Sequence, residues 1–349
     1  MAENFSCQAG VNLGGWISQY KKYDPQHFET FIRAEDIQRI ADWGMDHVRL
    51  PVDYPVLEDD DQPGVYKSSG FEYLERCLGW CKDNGLRVIL DLHKAPGYSF
   101  DDTIEGYHPM PLFHEARAQD RFLNLWGTLT ERYKTEGDTL LFELLNEINL
   151  PDCAPWNDLA RRAVERIRSV DGERLIIIGG NHFNAASELA NIQLFNDPNV
   201  FYTFHFYEPI LFTHQKAPWS PINRFHNTSV EYPGVTPGLE KLFASHPDQR
   251  PGYERFNGLY MDEALLRQYL QPVLDFIQTS GHVPYCGEYG VYEAASETSS
   301  LNWHRDFIGL LRQHRIGRAV WSYKGMGFGM VDWNGRVANE KLVQMVSER

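Results

Sequence analysis

Cysteine, positive charge and long apolar runs are what this sequence has little of. Its five cysteines (Cys7, Cys77, Cys81, Cys153, Cys286) are odd in number and form no Cys-x-x-Cys pair, which argues against a disulfide framework or a zinc knuckle. Cys77 and Cys81, four apart on an expected helix, read as reduced core residues. Lys and Arg number 33 against 48 Asp and Glu, a formal charge of -15. Such a surface repels phosphate backbones and anionic membranes, so neither nucleic acid nor membrane is an expected partner. No apolar run approaches the length that spans a bilayer, and the opening MAENFSCQAG lacks a basic patch followed by an apolar stretch. The expectation is a soluble, cytoplasmic chain, or a secreted one whose leader has been removed. Nothing in the composition points to an oligomeric state.

Also lacking are a low-complexity linker and a Gly-x-Gly-x-x-Gly turn after the first apolar run, the mark of a doubly wound nucleotide-binding sheet. What is present is alternation. Eight β-rich runs occur at 9–14, 45–50, 86–93, 139–147, 174–180, 200–207, 283–290 and 318–325. Helical patterns separate them: EDIQRIADW, FEYLERCLGWCKDN, DRFLNLWGTLTERYK, WNDLARRAVERIRSV, a short NAASELA, DEALLRQYLQPVLDFIQTS, LNWHRDFIGLLRQH and NEKLVQMV. Gly44, Gly85 and Gly281 close three of these, each suited to a left-handed C-terminal cap. Eight strand-plus-helix units predict one α/β domain over 1–349, a closed (β/α)8 TIM barrel. Two stretches interrupt the pattern, 94–116 and a longer insertion at 208–261. The second holds Phe212, His214, Trp219, Phe225, His226, Tyr232 and Tyr253, too aromatic for a disordered tether, and reads as a structured lid.

In such barrels chemistry sits at the C-terminal strand ends. Arg49 ends the second run, Asp91 and His93 the third, Asn146 and Glu147 the fourth, His205 and Tyr207 the sixth, Glu288 the seventh and Trp321 the eighth. Glu147 closes an apolar run, LLFELLNE, where a carboxylate is costly unless delivered to a site. Glu288 stands on a strand about opposite. Two carboxylates facing across a pocket suit glycoside hydrolysis, one protonating the leaving oxygen and the other acting at the anomeric carbon. Arg49, Tyr207 and Asn146 favour an ionised Glu288, the expected nucleophile; Glu147, facing a second carboxylate, is the expected acid. Asn146 can bind a sugar 2-hydroxyl, Trp321 can stack on a pyranose, and His93 and His205 supply further polar groups.

The stretches GVNLGGW, HVRLP, VILDLH, LLNE, HFYEP, GEYG and WSYKGMGFGMVD, in this order and over nearly the whole chain, resemble glycoside hydrolase family 5, retaining (β/α)8 β-glycosidases of clan A. The resemblance implies Glu147 as acid/base and Glu288 as nucleophile, with Arg49, His93, Asn146, His205, Tyr207 and Trp321 in substrate-binding or electrostatic roles. It implies no metal and no cofactor. The insertion, as a lid closing a pocket, points to exo action on a short β-linked oligosaccharide, similar to the intracellular β-mannosidase branch that acts on Man-β-1,4-GlcNAc. The alternatives on this scaffold are an endo-β-1,4-glucanase or mannanase and an exo-β-glucosidase.

Other readings compete. Glu143 shares a strand face with Leu145 and Glu147 at the period of two and could be the buried member, ion-paired with Arg49. Asp91, His93 and His205 could form a metal site, although ligands from separate strands make a weak zinc signal. Trp321 could simply cap the core. A non-catalytic carbohydrate-binding barrel would keep the aromatic platforms and lose a carboxylate, and here both kinds of residue are present.

Overall fold

The computed structural model describes residues 6–103 and 110–349; part of the 94–116 stretch thus lies outside the described residues. Eight strands form the barrel: β1 (Ala9–Asn12), β2 (His47–Asp53), β3 (Arg87–Lys94), β4 (Leu140–Glu143), β5 (Ile176–Gly179), β6 (Val200–Phe206), β7 (Tyr285–Tyr289) and β8 (Arg318–Val320). All are parallel, each beside its neighbours in sequence, and the ring shuts where Ala9, Gly10 and Val11 pair with Arg318, Ala319 and Val320. The expected TIM barrel is what forms.

Side-chain parity sorts the strand residues into two layers. Ile89, Leu141, Ile177, Phe201, Tyr285 and Ala319 pack with Cys7 as one apolar cluster, while their alternates Val48, Leu90, Leu140, Phe142 and Ile176 join the larger cluster shared with the helices. Two residues beyond Ile89 and Leu141 on the same faces come Asp91 and Glu143, both fully buried. The barrel interior is therefore apolar at its base and charged one layer above, and that layer carries the site.

The helices Ala34–Asp42, Ser68–Asp83 and Glu263–Ser280 end before Gly44, Gly85 and Gly281, whose φ values of 92°, 67° and 74° fit the left-handed caps expected of them. Ala116–Tyr133, Ala154–Arg168, Glu297–Gln313 and Glu340–Ser347 supply four more. The fifth unit differs from expectation. NAASELA forms a 3-10 turn at Ala186–Asn191 rather than an α-helix. Left-handed residues at His182, Phe183 and Asn184 precede it, tied to the preceding loop by Phe183 N–H to Ile148 O. Too few residues then remain to pass the cost of helix nucleation. All five cysteines are free and buried. No helix among the described residues is long and apolar enough to cross a membrane.

The insertion after β6 has a small core of its own, Leu211, Leu239, Leu242, Phe243, Tyr253 and Phe256. Among the described residues its outgoing hydrogen bonds run to the β7 loop and one outer helix. Tyr292 N–H donates to Thr213 O, Tyr232 N–H to Ser299 and Trp303 Nε1–H to Glu208 O. Trp219 and His214 pack on Phe328 in the β8 loop.

Candidate active site

Arg49 is the hub. The sequence places it at the end of its strand, but β2 continues to Asp53, so Arg49 lies one layer beneath the rim and is fully buried. Its guanidinium forks onto Glu143, Nε to Oε2 at 2.7 Å and Nη2 to Oε1 at 2.9 Å. It also reaches Glu288 Oε1 at 2.7 Å, Asp91 Oδ2 at 3.1 Å and the side-chain oxygens of Asn12 and Asn146 at 2.9 Å each. A planar donor fork with five N–H groups is the side chain that can serve so many acceptors at once. Glu143 is the ion-paired buried carboxylate the sequence allowed for.

The expected shared face of Glu143, Leu145 and Glu147 does not form. β4 stops at Glu143, and Leu145 joins the barrel–helix cluster. Hydrogen bonds from Leu144 N–H to Ile177 O and from Asn146 N–H to Leu92 O set the path beyond the strand. That break turns both Asn146 and Glu147 toward the barrel axis, where strict alternation would allow only one.

Glu147 and Glu288 meet there. A carboxylate oxygen of each, with one nitrogen of His205, lie within 4.8 Å of one another. Glu288 accepts from Arg49 and, at 2.9 Å, from the Tyr207 hydroxyl. Glu147 Oε1 contacts His205 Nδ1 at 2.9 Å. Burial raises the pKa of both carboxyls, but the environments differ. Arg49 and the Tyr207 hydroxyl pull Glu288 back down, whereas the charge of Glu288 pushes Glu147 well above the usual range. Burial and Arg49 hold His205 well below its ordinary value, so the ring is neutral. Its contact with Glu147 is a hydrogen bond rather than an ion pair.

His93 donates from Nδ1 to Asp91 Oδ2 at 2.6 Å, and burial holds its pKa down to about 3. Its ring lies parallel to Trp321, centroids 5.7 Å apart. Gly14 is required beside that indole, since a Cβ there would stand 2.7 Å from the ring. Three nitrogens around the carboxylates, Nε2 of His93, Nε2 of His205 and Nδ2 of Asn146, are buried with no hydrogen-bond partner, so each is free to bond a ligand. The eight residues to which the resemblance gives roles thus gather at one end of the barrel.

Two supporting residues escaped sequence reading. Asn12 spans from Arg49 to the carbonyl of Gly287; a polar residue ending the apolar AGVNLG run was the signal. Tyr98 donates to the Glu147 carbonyl at 2.6 Å and accepts from Asn149 N–H, and its loop position gave none. Asp91, His93 and His205 do not assemble as metal ligands, because Asp91 is engaged by His93 and Arg49. Among the described residues the group able to hold a metal ion is Glu147, His205 and Glu288.

Comparison with known proteins identifies the family. Residues 8–327 match the family described as Cellulase (glycosyl hydrolase family 5). Endoglucanase C of Acetivibrio thermocellus is 43% identical over 344 residues, 99% of each chain. Cellodextrinase A of Ruminococcus flavefaciens is 33% identical over 310 residues, 88% of this chain and 83% of that one. The structure of Thermotoga maritima Cel5A in complex with cellobiose superposes with a TM-score of 0.74 at 24% identity, covering 97% of both chains. With matching residues that run from the first barrel strand past the last, this chain belongs to glycosyl hydrolase family 5 and is a glycoside hydrolase acting on β-linked saccharides.

Proposed function

We propose that this glycoside hydrolase is an endo-acting β-1,4-glucanase that cleaves with retention of configuration. The observation that carries the mechanism is the close approach of Glu147 and Glu288, within 4.8 Å. Retaining enzymes hold their carboxyls about 5 Å apart, and inverting ones leave roughly 7–9 Å for a water. Glu288, held ionised by Arg49 and Tyr207, attacks the anomeric carbon. Glu147, the carboxyl kept protonated by burial and by its neighbour, gives its proton to the departing glycosidic oxygen. The resulting glycosyl ester on Glu288 is then opened by water, from which Glu147, now ionised, takes a proton. Arg49, sealed beneath the rim, acts by charge and position; His93, Asn146, His205, Tyr207 and Trp321 line the sugar.

The preference for glucan over the exo-β-mannosidase reading is supported by the endoglucanase relative that aligns over 99% of the chain. The insertion's recorded anchors lie on the β7 and β8 side, which suits a wall along a cleft better than a lid over a pocket. A preference for short cello-oligosaccharides is the second reading, favoured by the relative named a cellodextrinase.

Two measurements test this. Viscosity of a soluble cellulose derivative should fall well ahead of the appearance of reducing ends, and NMR of the first product should show the β-anomer. Release of mannose alone from a β-mannoside, with no loss of viscosity, sinks the glucanase reading; an initial α-anomer sinks retention.

A further inference from the structure

The two carboxyls are held in different ways. Glu288 lies inside β7 and is bonded directly by Arg49 and Tyr207. Glu147 lies past the end of β4, which stops at Glu143, in irregular backbone whose buried N–H and C=O groups must find partners outside the sheet. Two side chains and one amide supply them. The Tyr98 hydroxyl donates to Glu147 O at 2.6 Å and accepts from Asn149 N–H at 2.9 Å. The Asn181 carboxamide takes both groups of Leu150, accepting from its N–H at 2.7 Å and donating to its carbonyl at 2.8 Å. Phe183 N–H donates to Ile148 O at 2.9 Å.

We propose that Tyr98, seconded by Asn181, is the positioning residue for the acid, fixing Glu147 through its main chain where its proton can reach the glycosidic oxygen. The inference rests on Glu147 being the acid. One hydroxyl ties the carbonyl of Glu147 to the amide of Asn149, so it sets the orientation of the peptide from which the Glu147 side chain departs. Tyr98 is itself held firmly. It is 4% exposed, its ring stands edge-on to Phe113 with centroids 5.1 Å apart, and its main chain bonds Ala95 twice.

The segment that carries Asn181 and Phe183 adopts a costly conformation to be there. His182, Phe183 and Asn184 take φ values of 47°, 59° and 58°, three successive left-handed residues with no glycine among them. Such strain persists only where surrounding bonds over-determine the backbone, and it collects where position matters to function. Here those bonds are the contacts to Ile148 and Leu150, with Asn184 Oδ1 accepting from Gly180 N–H at 2.8 Å. Joining β5 to the turn after it requires no contact with the backbone that follows Glu147. Proton donation does require that the acid stand within hydrogen-bond reach of the leaving oxygen, and a misplacement of ~1 Å can slow an enzyme about a hundredfold. Glu288, bonded to Arg49 and Tyr207, does not depend on Tyr98, so the attack on carbon and the protonation of the leaving group are separable.

Leaving groups of different acidity read that protonation apart from every other step. A dinitrophenolate departs without a proton, whereas an unsubstituted phenolate needs one. The test therefore measures kcat/KM for dinitrophenyl and phenyl β-glycosides, on whichever glycone, glucosyl or mannosyl, the parent cleaves. For Tyr98→Phe, which keeps the ring against Phe113, kcat/KM should fall about tenfold on the phenyl substrate and less than about twofold on the dinitrophenyl one. Asn181→Ala should move the ratio of the two in the same direction; a ratio it leaves unmoved strikes out that residue's share. Both rates come from one preparation, so their ratio cancels any loss of folded protein. Glu147→Ala is the benchmark and should show the same selectivity in stronger form. If it does, and Tyr98→Phe leaves the ratio unchanged or slows both substrates equally, the positioning role is overturned and the acid assignment stands. If Glu147→Ala shows no selectivity, the acid assignment falls and this proposal with it.

Discussion

Tyr207→Phe removes one hydroxyl and leaves the ring that packs against His214 and Phe328, centroids 4.9 Å and 6.0 Å away. The lost contact is the 2.9 Å hydrogen bond to Glu288 Oε2. A hydrogen bond to a charged group contributes about 1.5–3 kcal/mol. Arg49 still holds the other oxygen at 2.7 Å, so the lower end applies. The hydroxyl favours the ionised carboxylate, so its removal raises the pKa of Glu288. Since 1.36 kcal/mol corresponds to one pH unit, the acid limb of kcat/KM against pH should move up by about one unit. The alkaline limb, set by the proton on Glu147, should move much less. Below the original limb the rate should fall about tenfold, and much of it should return as pH rises. The assay is the pH profile of an aryl β-cellobioside under kcat/KM conditions, in which the two limbs report the free enzyme's carboxyl pair. An acid limb that stays in place, or shifts downward, refutes the assignment of Glu288 as the group that must be ionised.

Three further outcomes follow from the same geometry. Glu288→Gln should abolish hydrolysis of an activated glycoside while sugar binding, measured by calorimetry, persists; an unchanged rate would remove Glu288 from the nucleophile role. Arg49→Met leaves Asp91, Glu143 and Glu288 buried without their common cation, so unfolding free energy should drop by about 3–5 kcal/mol in denaturant titration. A drop under about 1 kcal/mol would mean those carboxyls are neutral in the folded protein. Chelator should leave activity unchanged, because Glu288 is already bonded to Arg49 and Tyr207 and His205 Nδ1 to Glu147; loss of activity that a divalent ion restores would reverse this.

The architecture was legible because its signals are local. Each of the eight strands overlaps a run read from the sequence, and three helix ends were announced by glycines whose positive φ no other residue adopts so readily. The gathering of Glu147, Glu288 and their neighbours followed from topology, since parallel strands in a closed ring present all their C-terminal ends on one side. What escaped was decided by contacts distant in sequence. The end of β4 at Glu143 depends on bonds to Ile177 and Leu92, and Arg49 lies below the rim because β2 runs four residues further. The insertion's aromatic content marked it as ordered, but where it is anchored lay in Tyr292, Ser299, Trp303 and Phe328, on other loops and helices.

The seam at which Ala9–Val11 meets Arg318–Val320 joins segments about three hundred residues apart. During synthesis the ring stays open, its first and seventh strands exposing bare amide edges, until the last strand has left the ribosome. Long-separation pairings of this kind slow folding and leave nascent chains open to association with one another. Trp321 directly follows that last strand, so a chain released early is both unsealed and without its stacking surface. Turnover therefore reports on full-length product, and a protease that nicks the closing seam should silence the enzyme while every carboxylate remains in place.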